Sequence, residues 1–217
     1  MDADHQSYAI MPVMEQRIPQ PSGGITEQDY LRMEELALSK HEFRDGRVID
    51  MAGGTGNHAL IAMSLGGEIR QRLKRGPCKV FSSDLRVRIN EIGNYCYPDL
   101  TVACEPLVYI PPDKQTNLVN PKLVVEITSP TSEADDRGDK FSDYRLIPSL
   151  EEYVLVSQER YQVETFYRQS DGIWAFGPSA HGIDQSIAMR CLDIKLPLAE
   201  IYAGIELPPA AQKPISE

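Results

Sequence analysis

The run Leu123-Val124-Val125-Glu126-Ile127 is the most apolar stretch of the chain, and Ser129-Pro130 closes it. A short run rich in β-branched residues, ended by a proline that cannot donate to a ladder, predicts a strand rather than a helix. Valines at successive positions place apolar groups on both faces, so the strand is expected in a protected environment. A carboxylate there is costly to desolvate. Glu126 must either face water from a sheet edge or meet a cation.

The elements around this strand can be placed by their periods and caps. Thr26 and Asp29 resemble a capping box, opening a helix through about Ser39 on which Tyr30, Met33 and Ala37 recur. Asp45-Gly46 between Phe43 and Ile49 predicts a hairpin, because Gly46 accepts the positive φ of a tight turn. Ile61, Leu65, Ile69 and Leu73 repeat every four residues, and Gly76-Pro77 ends that second helix. From Lys79 to Ile89 the period becomes two, with Arg86 and Arg88 on the face opposite Leu85, Val87 and Ile89. Tyr95 to Ala103 and Lys122 to Thr128 read as further strands. Ser132 and Asp135 again resemble a capping box, starting a helix to about Leu146, and Glu152 to Val156 returns as a strand. Strand, helix, strand implies a parallel crossover, whereas Tyr161 to Tyr167 and Gly172 to Phe176 read as a hairpin. Met51, Met63 and Met189 read as core filler. The fold class is α/β of the α+β kind, a mixed central sheet flanked by helices.

At 217 residues the chain supports one core. A single domain is expected over 25–205, preceded by a Pro- and Gly-bearing arm over 1–24 and followed by a tail over 206–217. The formal net charge of -10 argues against a broad nucleic-acid-binding surface while leaving room for a local basic groove. Arg86, Arg88 or the Arg70 to Arg75 cluster would guide a negatively charged backbone there. Cys78, Cys96, Cys104 and Cys191 lack metal-ligand spacing and read as reduced thiols. No run reaches membrane-spanning length and no signal peptide opens the chain, so a cytoplasmic location is expected.

Three polar groups can converge on this scaffold. Asp99 follows Pro98 at a strand start, Glu126 lies within the next strand, and Lys140 sits in the helix after it. Two carboxylates on neighbouring strands are hard oxygen ligands suited to Mg2+ or Mn2+. A nearby lysine would orient or deprotonate an attacking water and offset developing charge. Each residue also has a plainer role. Pro98-Asp99 is ordinary turn chemistry, and Lys140 can be a solvated cation paired with Asp136 four residues earlier. Asp84 is either a third acid or a partner for Arg86. Glu42 is either a holder of water at the site or a surface charge beside Arg44, and His58 either binds phosphate or caps its helix. Gly53-Gly54-Thr55-Gly56 lacks the Lys-Ser/Thr completion of a phosphate loop and reads as a hinge.

Taken in order, Ser83-Asp84-Leu85-Arg86-Val87, Tyr97-Pro98-Asp99, Leu123 to Pro130, Asp136-Arg137-Gly138-Asp139-Lys140-Phe141 through Tyr144, and Glu152 to Val156 resemble the Uma2 family, also called DUF820 and abundant in cyanobacteria. The resemblance covers roughly Ile25 to Leu198. It implies the PD-(D/E)XK restriction-endonuclease-like superfamily: an αβββαβ core, here with an additional C-terminal hairpin, a divalent-metal site, and hydrolysis of nucleic-acid phosphodiesters, DNA above all, by a metal-activated water. By position Asp99 is the motif's Asp and Glu126 its second acid, both metal ligands. The superfamily's lysine, two residues after the second acid, is replaced here by Thr128, and Lys140 is the proposed substitute. By analogy a homodimer is expected. The competing expectation is a non-catalytic dimeric binding or scaffolding protein that keeps the nuclease fold.

Overall fold

The structure is a computed structural model that describes residues 24–51, 53–89, 93–110 and 115–207. The expected arm, apart from Gly24, and the expected tail beyond residue 207 lie outside the described residues. Helix α1 (Glu27–Leu36) leads into the hairpin β1 (His41–Arg44) and β2 (Arg47–Asp50), followed by α2 (Gly56–Leu73). Then come β3 (Cys78–Ser82), β4 (Arg86–Ile89), β5 (Asn94–Cys96), β6 (Leu100–Cys104) and the short β7 (Asn117–Leu118). The crossover from β8 (Leu123–Thr128) to β9 (Glu152–Ser157) carries α3 (Glu133–Arg137) and α4 (Asp139–Tyr144). The described chain closes with β10 (Gln162–Arg168), β11 (Trp174–His181), β12 (Ser186–Met189), β13 (Ile194–Pro197) and α5 (Leu198–Ile201).

The main sheet runs β11-β10-β9-β8-β6-β3, with β8 and β9 parallel as the crossover requires. A second sheet runs β2-β1-β5-β4-β7. Every residue of β8 is buried, in agreement with its valine-rich sequence. Its alternation decides what each side chain meets. Leu123, Val125 and Ile127 pack with Ile61, Leu65 and Ile69 of α2 on one face. Val124 packs on the other with Tyr144, Tyr153 and Leu155, together with Val87, Ile89 and Cys96 of the second sheet. Glu126 shares Val124's face, so it is enclosed by protein on a central strand, and the edge alternative falls away.

Three continuous elements of the sequence reading are broken. The strand expected over Lys79–Ile89 divides at Ser83-Asp84, and its halves join different sheets. The strand expected over Tyr95–Ala103 divides at Tyr97-Pro98-Asp99, where Pro98 offers no N–H and the chain changes sheets. The helix expected from Ser132 divides at Gly138, with φ -103 and ψ -104. Ser132 makes no side-chain cap; its hydroxyl accepts from Ser129 N at 3.0 Å, and Asp135 turns to Arg44. A Cβ at Gly138 would lie 2.9 Å from the Ala134 carbonyl oxygen. Gly138→Ala is therefore expected to destabilise the fold by about 1–3 kcal/mol, read from urea unfolding. An unchanged midpoint would mean that the backbone at this break adjusts freely.

Two further readings are corrected. Cys78 faces Cys104 across the β3–β6 ladder and is disulfide-bonded to it, while Cys96 and Cys191 are free thiols. Antiparallel pairing sets this meeting, which a sequence separation of 26 does not reveal. Met63 is 76% exposed on α2 rather than in the core, unlike the buried Met189.

Candidate active site

The break at Pro98 places Asp99 beside the end of β8. Asp99 Oδ2 accepts a hydrogen bond from Ile127 N at 2.7 Å, continuing with a side chain the ladder that ends at Leu100 and Val125. Asp99 Oδ1 stands 3.0 Å from Nε2 of His58, in the first turn of α2. Thr55 caps that helix by accepting from His58 N, and its hydroxyl donates to Gln158 Oε1 at 2.5 Å. A Cβ at Gly54 would come 2.8 Å from His58 Nδ1, so glycine there leaves room for the imidazole.

Glu126 is fixed from the other side. Tyr144 OH donates to its Oε1 at 2.8 Å, and Lys140 Nζ lies 3.0 Å from the same oxygen. The ammonium also lies 3.3 Å from Glu42 Oε1 and 3.6 Å from Asp136 Oδ1. Glu42 accepts in turn from Tyr97 N at 3.3 Å, and Arg44 stands beside it while gripping Asp135 with both terminal nitrogens. Thr128 is on the Glu126 face, but its hydroxyl turns to Val156 O at 3.5 Å. The charge lacking at position 128 thus reaches the acid from α4.

The cluster holds more acid than its cations balance. Burial, reinforced by Asp99, Asp136 and Glu42 against the opposing pull of Lys140, holds the Glu126 carboxyl well above the ordinary carboxylate range. Burial likewise raises Asp136. For Lys140 burial pulls the other way, yet Glu126, Glu42 and Asp136 outweigh it and hold the amine well above its usual value. The hydrogen bond to Asp99 raises His58 despite desolvation.

Asp99, Glu126, Lys140, Glu42 and His58 all line one groove of about 1010 Å3. Asp84 does not: its carboxylate is 81% exposed and takes Lys40 Nζ at 2.5 Å, rather than Arg86. The expected guiding arginines are mostly engaged. Arg86 is buried within 6 Å of the rings of Tyr30, Tyr95 and Tyr97, Arg88 pairs with Glu27, and Arg72 pairs with Glu68 and Glu200. Asp136 and Tyr144 were missed as site residues. Asp136, Lys140 and Tyr144 recur every four residues, and that polar stripe was the available signal.

Among the described residues no three His, Cys, Asp or Glu side chains are grouped as a ready metal cage. Mg2+ does not demand one, because one or two carboxylates suffice when waters and substrate phosphate fill the remaining positions. The donor set fits such an ion. Asp99 and Glu126 offer hard oxygens, and a divalent cation would offset the burial, and the repulsion from neighbouring acids, that together hold the Glu126 carboxyl up.

Residues 27–199 match the model of Uma2, described as "Putative restriction endonuclease". The chain belongs to the Uma2 family. Two Synechocystis proteins are similar: slr1290 is 32% identical over 85% of this chain and 95% of its own length, and sll1609 is 34% identical over 69% and 84%. The crystal structure of "a putative nuclease belonging to DUF820" from Anabaena variabilis superposes with a TM-score of 0.65 at 15% identity, covering 82% of this chain and 97% of that one. That likeness shows that this Uma2 member shares the mixed α+β fold of the DUF820 protein. No helix among the described residues is long and apolar enough to cross a membrane.

Proposed function

We propose that this Uma2 protein is a divalent-metal-dependent endonuclease that hydrolyses nucleic-acid phosphodiester bonds. The observation that carries the reading is the Lys140 ammonium 3.0 Å from Glu126, which restores from the following helix the cation that Thr128 cannot supply. The nuclease class of the family supports the same reading. Asp99 and Glu126 would hold Mg2+ or Mn2+, which when bound polarises a phosphoryl oxygen and acidifies water.

The roles of the chain's own groups follow from their electrostatics. Lys140 stays protonated, so it offers positive charge and donors to a phosphoryl oxygen instead of taking a proton from water. Glu42 and Asp136 hold that ammonium in place. His58 orients Asp99, and Tyr144 orients Glu126. In the reaction a water oxygen bonds to phosphorus as the ester P–O bond breaks; the attacking water gives one proton to solvent and the departing oxygen takes one up, leaving a phosphate monoester and a hydroxyl.

Titration of Mg2+ and Mn2+ against single-stranded and supercoiled DNA tests this. Cleavage that EDTA stops is expected. Asp99→Asn is expected to raise the metal concentration for half-maximal cutting at least about tenfold, since loss of even a supporting partner of a metal ligand costs that much. Cutting indifferent to EDTA, or an unshifted metal requirement in Asp99→Asn, would overturn the proposal.

A further inference from the structure

The groove that holds the acids continues along α2 well past His58. Ala59, Ala62, Gly66 and Gly67 form a low floor, and Met63 and Val80 give apolar walls, while Phe81 turns to the opposite face of β3. Met63 at 76% exposure contributes little to the core from this position. Arg70 stands at the far end. From His58 to Arg70 the helix runs about 18 Å, which is about five nucleotides at the roughly 3.4 Å per phosphate of one B-form strand, and fewer in an extended one.

Duplex DNA offers phosphates outward and keeps its base faces inside the stack, so a protein holds it with many cations. This groove has few to give. Lys40 is engaged by Asp84, Arg44 by Asp135 and Lys140 by Glu126. Among the described lysines and arginines lining the groove, Arg70 is the one without a carboxylate partner. An unpaired strand instead exposes base faces, which lie on an apolar wall with little regard to sequence. The acids are also recessed, Glu126 being 3% exposed, so the scissile phosphate must descend into the groove. A single flexible strand can do that more readily than a duplex.

We infer that the groove takes an unpaired stretch of nucleic acid, with bases against the exposed Met63 and a phosphate at Arg70. The inference rests on the nuclease reading and names the substrate class of that site. Such a substrate also removes the geometric reason for two copies to cut in concert.

The test titrates the full-length protein in Ca2+ into a labelled single-stranded oligonucleotide and into its duplex, read by fluorescence anisotropy, with cutting in Mg2+ and Mn2+ scored in parallel. The single strand is expected to bind at least tenfold more tightly. Its log-log salt slope is expected to be shallower than about -2, because each neutralised phosphate contributes roughly -0.7 on a single strand. Met63→Glu, at an exposed position, is expected to weaken single-strand binding at least tenfold with an unchanged melting curve. Arg70→Ala is expected to flatten the salt slope by about 0.7. Equal or tighter duplex binding, no binding of either form, or indifference to both substitutions would overturn the inference. Cutting confined to duplex would also overturn it and leave the nuclease reading intact. Tight single-strand binding without cutting would sink the nuclease reading and keep the groove's ligand as inferred.

Discussion

Lys140→Ala is expected to lose metal-dependent cleavage by about 10²-fold or more and to destabilise the fold by about 3–5 kcal/mol at neutral pH. The loss on both counts has one cause. The side chain is 11% exposed and its ammonium is the cation shared by Glu126, Glu42 and Asp136. Removing it leaves Glu126 and Asp136 without a lysine partner, while Glu42 keeps the Tyr97 N–H and, as its cation, Arg44 at 3.7 Å. With the opposing pull of Lys140 gone, burial raises the carboxyls further, so the folded state prefers them protonated more strongly than the unfolded chain does. The destabilisation should therefore be small near the ordinary carboxylate value and grow as pH rises above it. Urea unfolding at pH 5 and pH 8 measures this. A variant as stable as wild type at pH 8 would show that the acids find another cation or solvent, and that Lys140 does not organise the site.

The sequence made β8 legible because four of its positions, Leu123, Val124, Val125 and Ile127, carry a local, period-independent signal: branched apolar residues ended by Ser129-Pro130. It also showed that an acid buried there would need a cation. What it could not show is distance. Lys140 lies within reach of Glu126 because Gly138 breaks the helix and starts α4 afresh, while apolar spacing in 132–146 reads straight through that break. The ladder ends at Ser82 and Cys96 were invisible for the same reason, since alternation resumes after each turn although the strand has moved to the other sheet. His58 and Asp99 meet through tertiary packing of α2 on the main sheet, and Glu42 through pairing of β1 with β5. Such contacts depend on topology, so the acids could be named individually but their common groove could not be drawn.

Glu126→Gln should produce the opposite stability result from Lys140→Ala while costing as much activity. Cleavage is expected to fall by about 10²-fold or more, because an amide is a poor ligand for a hard divalent ion where a carboxylate is wanted. The fold, however, should gain. Burial, with Asp99, Asp136 and Glu42 as neighbours, raises the folded-state carboxyl above its ordinary value of 4.5. A raised acid means that the folded protein binds the proton more tightly than the unfolded chain, so stability falls as pH climbs from about 4.5 toward the folded value. Glutamine cannot ionise and removes that fall. It keeps an oxygen for the Tyr144 hydroxyl, and Lys140 retains Glu42 and Asp136, so no buried charge is stranded. The difference in melting temperature between variant and wild type should be near zero at pH 4.5 and positive at pH 8. Retained cleavage would remove Glu126 from the site, and marked destabilisation at pH 8 would mean that the ammonium depends on Glu126 alone. Opposite stability responses with the same loss of cutting would mark a cluster kept at some cost to the fold for the sake of its chemistry.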